Sequence, residues 1–209
     1  WCASLDAWLA RYREWVARPE KEALLHASVF LDLRALYGDS SLVRRLQAGL
    51  GRLVGSHPRF LVVLVANSLR VNPPLGLFRQ FVLARDGENR STLNIKKQAI
   101  NLVVELARIY ALAAGSSASE TAVRLADAVA GGIISEGSRK ELLEAFEFLN
   151  QVRFRHQSQA LRRGETPSNG IAPTGLSQFE RNHLKDAFRI IARTQEAAGQ
   201  RFHAQGILR

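Results

Sequence analysis

The sequence contains no methionine, one cysteine (Cys2), six prolines and no long apolar run. Each shortage excludes something. A single cysteine cannot form an internal disulfide and fits a reducing compartment, and a structural zinc site lacks ligands. The longest apolar stretch, Phe60 to Ala66, falls far short of the roughly 20 residues that a membrane helix needs, so no membrane partner is expected. No basic segment leads into an apolar one near the start, so a signal peptide is not expected and a cytoplasmic location is. Methionine is missing even at position 1, and the chain opens directly on Trp1-Cys2. We read it as a fragment of a longer protein.

What is present is apolar enough to fold. With 209 residues, 46% of them hydrophobic, the chain can bury a substantial core as one large domain or two small ones. The basic residues outnumber the acidic ones to give a formal charge of +10, and only five of them are lysines. Such an excess favours anionic partners, whether nucleotide phosphates, nucleic acid or acidic protein surfaces. The arginines are scattered along helical faces instead of clustering with aromatics, which favours solvated helix surface and disfavours nucleic-acid binding.

The periodicity is almost entirely helical. Leu5, Trp8, Leu9, Tyr12, Trp15 and Val16 recur at helical spacing behind a cap at Ser4, and Pro19 marks a boundary. A second helix is expected from Pro19 through Arg34, a third from a cap at Asp39 through Leu42, Leu46 and Leu50, and a fourth, apolar nearly all round, from Pro58 to about Val71. Asn72-Pro73-Pro74 must break that helix. A short helix is expected over Leu77 to Leu83, then a polar loop from Arg85 to Thr92. Lys96 to Ala114 is again helical and ends at Gly115. Ser119 is placed to cap a helix reaching Ala130, and the pairs Ser138/Glu141 and Ser177/Glu180 have the capping-box pattern ahead of two long helices. The expected fold is therefore all-α, a bundle of about eight helices, with no strand pattern. The irregular stretch from Arg163 to Gly175 is long enough to suggest a functional loop.

Several polar residues stand where a simple bundle would place apolar ones. In Phe30-Leu31-Asp32-Leu33-Arg34 an acid and a base lie inside an apolar run, and either would cost several kcal/mol if buried alone. Two residues apart, they are about 200° apart around a helix and cannot pair with each other. Each therefore needs a partner elsewhere, as an interhelical salt bridge or as the polar floor of a pocket. Gly38-Asp39 reads as a glycine terminator followed by a cap. His156 continues the stripe of Leu142, Phe146 and Leu149, and Gln195 continues that of Leu184, Phe188 and Ile191, so both should point inward. Arg153 lies one turn before His156, so the two can form a polar face near the Arg163 to Gly175 loop. Lys96 and Lys97 open a helix, where cations oppose the macrodipole and could serve an anion held there; solvated lysines are the simpler account.

No catalytic centre can be assembled from this chain. It has no phosphate loop, HExxH, CxxC or serine elbow, and no close pair of carboxylates after a Gly-Ser turn to hold two magnesium ions.

An ordered set of short motifs runs through the sequence: Trp1-Cys2-x-Ser4-Leu5-x-x-Trp8, Phe30 to Arg34 with Tyr37-Gly38-Asp39, Pro73-Pro74-Leu75-Gly76-Leu77-Phe78, Leu93-Asn94-Ile95-Lys96, Ala107-Arg108, Thr121 to Leu125, Arg155-His156-Gln157 and Pro167-x-Asn169. In this the chain resembles, over nearly its whole length, the nucleotidyltransferase substrate-binding domain at the C-terminus of bacterial signalling proteins related to PII uridylyltransferase. The resemblance implies a single helical domain over 1–209, with 1–18 as a linker helix from an upstream catalytic domain. It implies cyclic-nucleotide-binding and CBS domains further upstream. It also implies that magnesium and a nucleoside triphosphate belong to the full-length protein, the metal-binding aspartates lying in the upstream domain. By resemblance, Asp32, Arg34, Asp39, Lys96, Arg155, His156 and Gln157 form the polar surface facing the nucleotide or the acceptor. Two positions depart from the family pattern: Asn94 where an aspartate is usual, and Leu31 where a second phenylalanine is common.

The leading expectation is a noncatalytic domain that completes the cleft of an upstream nucleotidyltransferase domain and positions nucleotide and acceptor, the acceptor being a protein. The alternative is a helical protein-interaction or dimerisation module, with a homodimer left open. In the first case Asp32, Arg34, Lys96 and His156 share one concave surface; in the second each is satisfied by an interhelical partner.

Overall fold

A computed structural model describes residues 2–76, 80–83 and 91–207. Among these residues the fold is all-α, with eight helices and two strands of two residues each. Two compact units form: unit 1 from residues 1–67, 107–135 and 198–209, and unit 2 from 68–106 and 136–197.

Unit 1 begins with α1 (Leu5–Ala17), whose cap Ser4 accepts from the Ala7 amide at 3.2 Å. Helix α2 (Lys21–Phe30) and α3 (Ser40–Ser56) pack with α1. Asp39 caps α3 as expected, its Oδ1 accepting from the Ser41 amide at 2.8 Å. Helix α3 buries Leu46, Leu50 and Val54, but Leu42 is half exposed. Gly49 explains how close α3 comes to α1, because a Cβ there would stand 2.3 Å from Leu9 Cδ2. Trp8 and Trp15 enclose Phe30, with ring centroids 4.6 and 5.6 Å away, and the buried Tyr12 hydroxyl donates to the Phe30 carbonyl at 3.1 Å.

Helix α2 stops at Phe30 instead of Arg34. In a longer helix the carbonyls of Phe30 and Leu31 would accept from the amides of Arg34 and Ala35. Here Tyr12 takes the first, and Arg124 takes the second at 3.0 Å. Asp32 and Arg34 therefore lie in the connection between α2 and α3, not on a helix.

Helix α4 (Pro58–Ser68) is shorter than expected but buries Phe60, Val63, Leu64, Val65 and Ala66, so it is enclosed nearly all round. Helix α5 (Asn101–Ala113) belongs to unit 1 from Ala107 onward, and Gly115 follows it with a positive φ of 74°. Helix α6 (Thr121–Ala130) has Glu120 rather than Ser119 at its cap position, without a side-chain cap bond.

Unit 2 is centred on α7 (Glu136–Arg162) and the greater part of α8 (Gln178–Arg201). Helix α7 starts at Glu136, two residues before the expected Ser138, so the Ser138/Glu141 box is not its cap, and Glu141 instead pairs with Arg193. The second box is formed: Ser177 N donates to Glu180 Oε2 at 2.9 Å, and Glu180 N donates to Ser177 Oγ at 3.2 Å. A π-helical turn over Lys96–Ile100 leads into α5 and packs on α7.

Two local expectations fail here. Of the helix expected over Leu77 to Leu83, residues 77–79 lie outside the described residues, and the described remainder is extended: Phe81 forms an antiparallel bridge with Leu75, and Gly76 N donates to Gln80 O at 2.8 Å. The expected Arg85 to Thr92 loop lies outside the described residues as far as 90. The Arg163 to Gly175 stretch, expected to be irregular, contains β2 (Gly170–Ile171), which pairs antiparallel with β1 (Leu93–Asn94). As expected, Gln195 is buried, its Nε2 donating to the Ser68 and Val71 carbonyls at 2.8 and 2.9 Å where α4 ends.

Candidate functional site

Three of the seven candidate residues lie in unit 1. Asp32 meets two arginines: Arg108 Nη2 at 2.6 Å and Arg124 Nη2 at 2.7 Å. Burial pushes the Asp32 pKa up, but hydrogen bonds and charge from Arg108 and then Arg124 outweigh that and hold the carboxyl below its ordinary value. Arg124 itself is 2% exposed and donates further to the Ala118 carbonyl at 2.7 Å. Arg34 and Asp39 are exposed, and Asp39 serves its helix cap. Beside this cluster α3, α5 and α6 line a pocket of about 440 Å³ that holds Arg44, Arg52, Arg108 and Arg124 against Tyr12, Phe30 and Leu31.

The other four lie in unit 2. Arg155 and His156, on α7, line a pocket of about 380 Å³ with Gln159, Arg163, Ile171 and Glu180. Arg155 pairs with Glu180. The Glu180 pKa is held down first by the Ser177 amide and hydroxyl and then by the Arg155 charge. His156 is half-buried. Gln157 reaches Asn169 Oδ1 and the Ser168 carbonyl, both at 3.4 Å, so it braces the loop more than it faces the pocket. Arg153 donates to the same Asn169 oxygen at 2.8 Å, and the Asn169 carbonyl accepts from Ile95 N at 3.2 Å. Asn169 thereby fixes the wall of the pocket. Lys96 is exposed on the π-helical turn and does not line it.

The model of the family described as "Putative nucleotidyltransferase substrate binding domain" matches residues 58–202. The chain belongs to that family. No curated protein and no solved structure matches it. The match contains all of unit 2 and the α5 and α6 arginines of the unit 1 pocket, but not α1 to α3. The two departures from the family pattern have structural accounts. Asn94 Oδ1 accepts from the Lys97 amide at 3.0 Å, a capping task that aspartate would also perform. Leu31 is buried, and its carbonyl binds Arg124. Among the described residues no helix is long and apolar enough to cross a membrane.

Arg44, Arg52, Arg108 and Arg124 are absent from the seven candidates. Their signal was available for Arg124, which stands beside Leu125 and one turn before Ala128 on the buried side of α6.

Proposed function

We propose that this domain is a noncatalytic substrate-binding module that positions a nucleoside triphosphate and a protein acceptor for a nucleotidyltransferase domain upstream of it. The observation that carries this is a polar pocket lying wholly within the family match, with Arg155 and His156 in its lining. Positioning of this kind lowers the barrier by holding reactants in line and by setting cations against developing phosphate charge. Of the other candidates, Asp32, Arg34 and Asp39 belong to unit 1 and Lys96 and Gln157 to unit 2, and each is proposed to act within its own unit. Among the described residues no group of three or more His, Cys, Asp or Glu side chains is placed to hold a metal ion. Magnesium is proposed to be held by carboxylates of the upstream catalytic domain.

The test is calorimetry with Mg-ATP and Mg-UTP on this chain and on a longer protein that includes the upstream domain. Arg34 and Lys96 are exposed, so Arg34→Ala and Lys96→Ala should leave the fold intact. Weaker binding by those variants of the longer protein supports the proposal; unchanged binding makes both residues structural or solvated and removes it.

A second reading, an interaction or dimerisation module, is favoured by one feature. Unit 1 exposes Leu25 and Val29, one turn apart on α2, and Leu36 and Tyr37 in the connection after it, the last completely; joined into one patch they would mark an interaction site. Tyr37→Ser would then abolish self-association seen by sedimentation; a monomer at all concentrations would count against the dimeric form.

A further inference from the structure

The pocket of unit 1 has a composition that its position in a helical bundle does not require. On α3 its wall is made by the apolar Leu50 and by Arg44, Gln47, Ala48, Gly51 and Arg52, the last five recurring at i, i+3, i+4, i+7 and i+8 and so sharing one face. A face packed against other helices would be apolar. This one has small residues at its centre and a guanidinium at each end. The small residues leave the space open, and Arg108 and Arg124 close it from α5 and α6. At about 440 Å³ the space lies within the range of small-molecule sites.

The electrostatics are one-sided. No aspartate or glutamate lines the pocket. Asp32 pairs with Arg108 and Arg124 without lining the pocket, and Asp127 accepts from the Ser116 hydroxyl at 2.5 Å. Among the described residues neither Arg44 nor Arg52 forms an ion pair; Arg44 Nη1 donates to the Ser40 hydroxyl at 2.8 Å and feels the Asp39 charge at longer range. Planar guanidinium groups favour phosphate, which they bind with two donors at once. The same pocket is lined as well by Tyr12, Phe30 and Leu31, which give it an apolar part. Phosphates alone would leave that part uncovered, whereas a flat base would cover it.

We propose that this pocket binds a nucleotide, with its phosphates on the arginines and its base against the Tyr12, Phe30 and Leu31 wall. The proposal deepens the preceding reading by giving the nucleotide its place, and it rests on that reading only for the role the nucleotide plays.

The test is calorimetry on the 209-residue chain with Mg-ATP and with pyrophosphate as probes, circular dichroism confirming the fold of each variant. ATP should bind more tightly than pyrophosphate, and both should weaken as salt rises. Arg44→Ala and Arg52→Ala should each weaken ATP about tenfold, as expected for the loss of a charge-assisted contact. Asp32→Asn, which removes a carboxylate that competes for Arg108 and Arg124, should tighten it by a factor of about three to ten. Arg189→Ala, at an exposed arginine of α8 that lines neither pocket, should change nothing.

Failure of the chain to bind either probe, binding indifferent to Arg44 and Arg52, or pyrophosphate binding as well as ATP would overturn the proposal. If only the longer protein binds ATP, and does so through Arg34 and Lys96, this pocket is wrong and the positioning role stands. If the chain binds ATP through Arg44 and Arg52 while binding to the longer protein ignores Arg34 and Lys96, the pocket stands and the Arg34 and Lys96 surface falls.

Discussion

Replacing Arg124 with methionine should destabilise unit 1 by about 3 kcal/mol, whereas Asp32→Asn should cost about 1 kcal/mol, although the two residues share one ion pair. The asymmetry follows from burial. The Arg124 side chain is 3% exposed, against 41% for Asp32. Arg124 donates to the Ala118 carbonyl at 2.7 Å and to the Leu31 carbonyl at 3.0 Å. Methionine fills much of the same volume but orphans both carbonyls, at about 1 to 3 kcal/mol each when buried. The lost ion pair adds less than about 1 kcal/mol, because Asp32 keeps Arg108 and is open to water. Asp32→Asn, by contrast, leaves both carbonyl bonds in place and still offers Arg124 an acceptor. Urea unfolding followed by tryptophan fluorescence is the assay, since Trp8 and Trp15 stand in the aromatic cluster of unit 1. Equal costs for the two variants, or a cost below about 1 kcal/mol for Arg124→Met, would refute the view that Arg124 ends α2 by capturing its carbonyl.

The Asp32 carboxyl titrates below its ordinary value in the folded chain, so its stabilisation is fully present above the unfolded pKa, near 4, and is lost as pH falls through the folded one; the difference in urea midpoint between wild type and Asp32→Asn should shrink below about pH 4. Gln195→Ala removes one bond to the buried Ser68 carbonyl and one to the partly buried Val71 carbonyl and should lower stability by about 2 kcal/mol in a urea titration followed by circular dichroism. Gly49→Ala places a Cβ 2.3 Å from Leu9 Cδ2 and should cost about 1 to 3 kcal/mol by overpacking. Most of that loss should return in the Gly49→Ala, Leu9→Ala double variant, and a double variant with additive losses would show that the contact is not the cause.

The features legible in the sequence are those decided by neighbours along the chain. Ser4, Asp39 and the Ser177/Glu180 pair cap their helices because a cap needs only the next two or three amides, and Gly115 ends α5 because glycine tolerates a positive φ. The end of α2 was not legible. It is set by Tyr12, 18 residues before Phe30, and by Arg124, 93 residues after Leu31, and no window on the sequence contains either partner. The two-residue strands carry no periodicity to read; they exist because Asn169 is tied to Arg153 and to Ile95. Half of the site reading suffered from the same non-locality. Arg155 and His156, carried over by the family resemblance, line the pocket of unit 2, whereas Arg153, paired with His156 on spacing, bonds Asn169 instead. The arginine pocket needs α3, α5 and α6 together, and its residues read singly as solvated surface.

The net charge of +10 predicts attraction for anions without saying where they go, and the pairing of the arginines narrows the choice. In unit 2, Arg139, Arg155, Arg163, Arg189 and Arg193 each have a carboxylate partner. In unit 1 the single carboxylate of Asp32 answers to two arginines, while among the described residues Arg44 and Arg52 form no ion pair and Arg44 has only the longer-range charge of Asp39. An anion entering that pocket competes with Asp32, not with a set of matched pairs. Asp32 therefore pulls in two directions: neutralising it removes a stabilising contact from Arg108 and Arg124 and at the same time leaves both freer to bind phosphate. Stability and affinity should move oppositely at this one position. That is the behaviour expected where a carboxylate holds binding arginines in place for the fold at some expense to affinity. A purely structural salt bridge would lose stability and gain nothing.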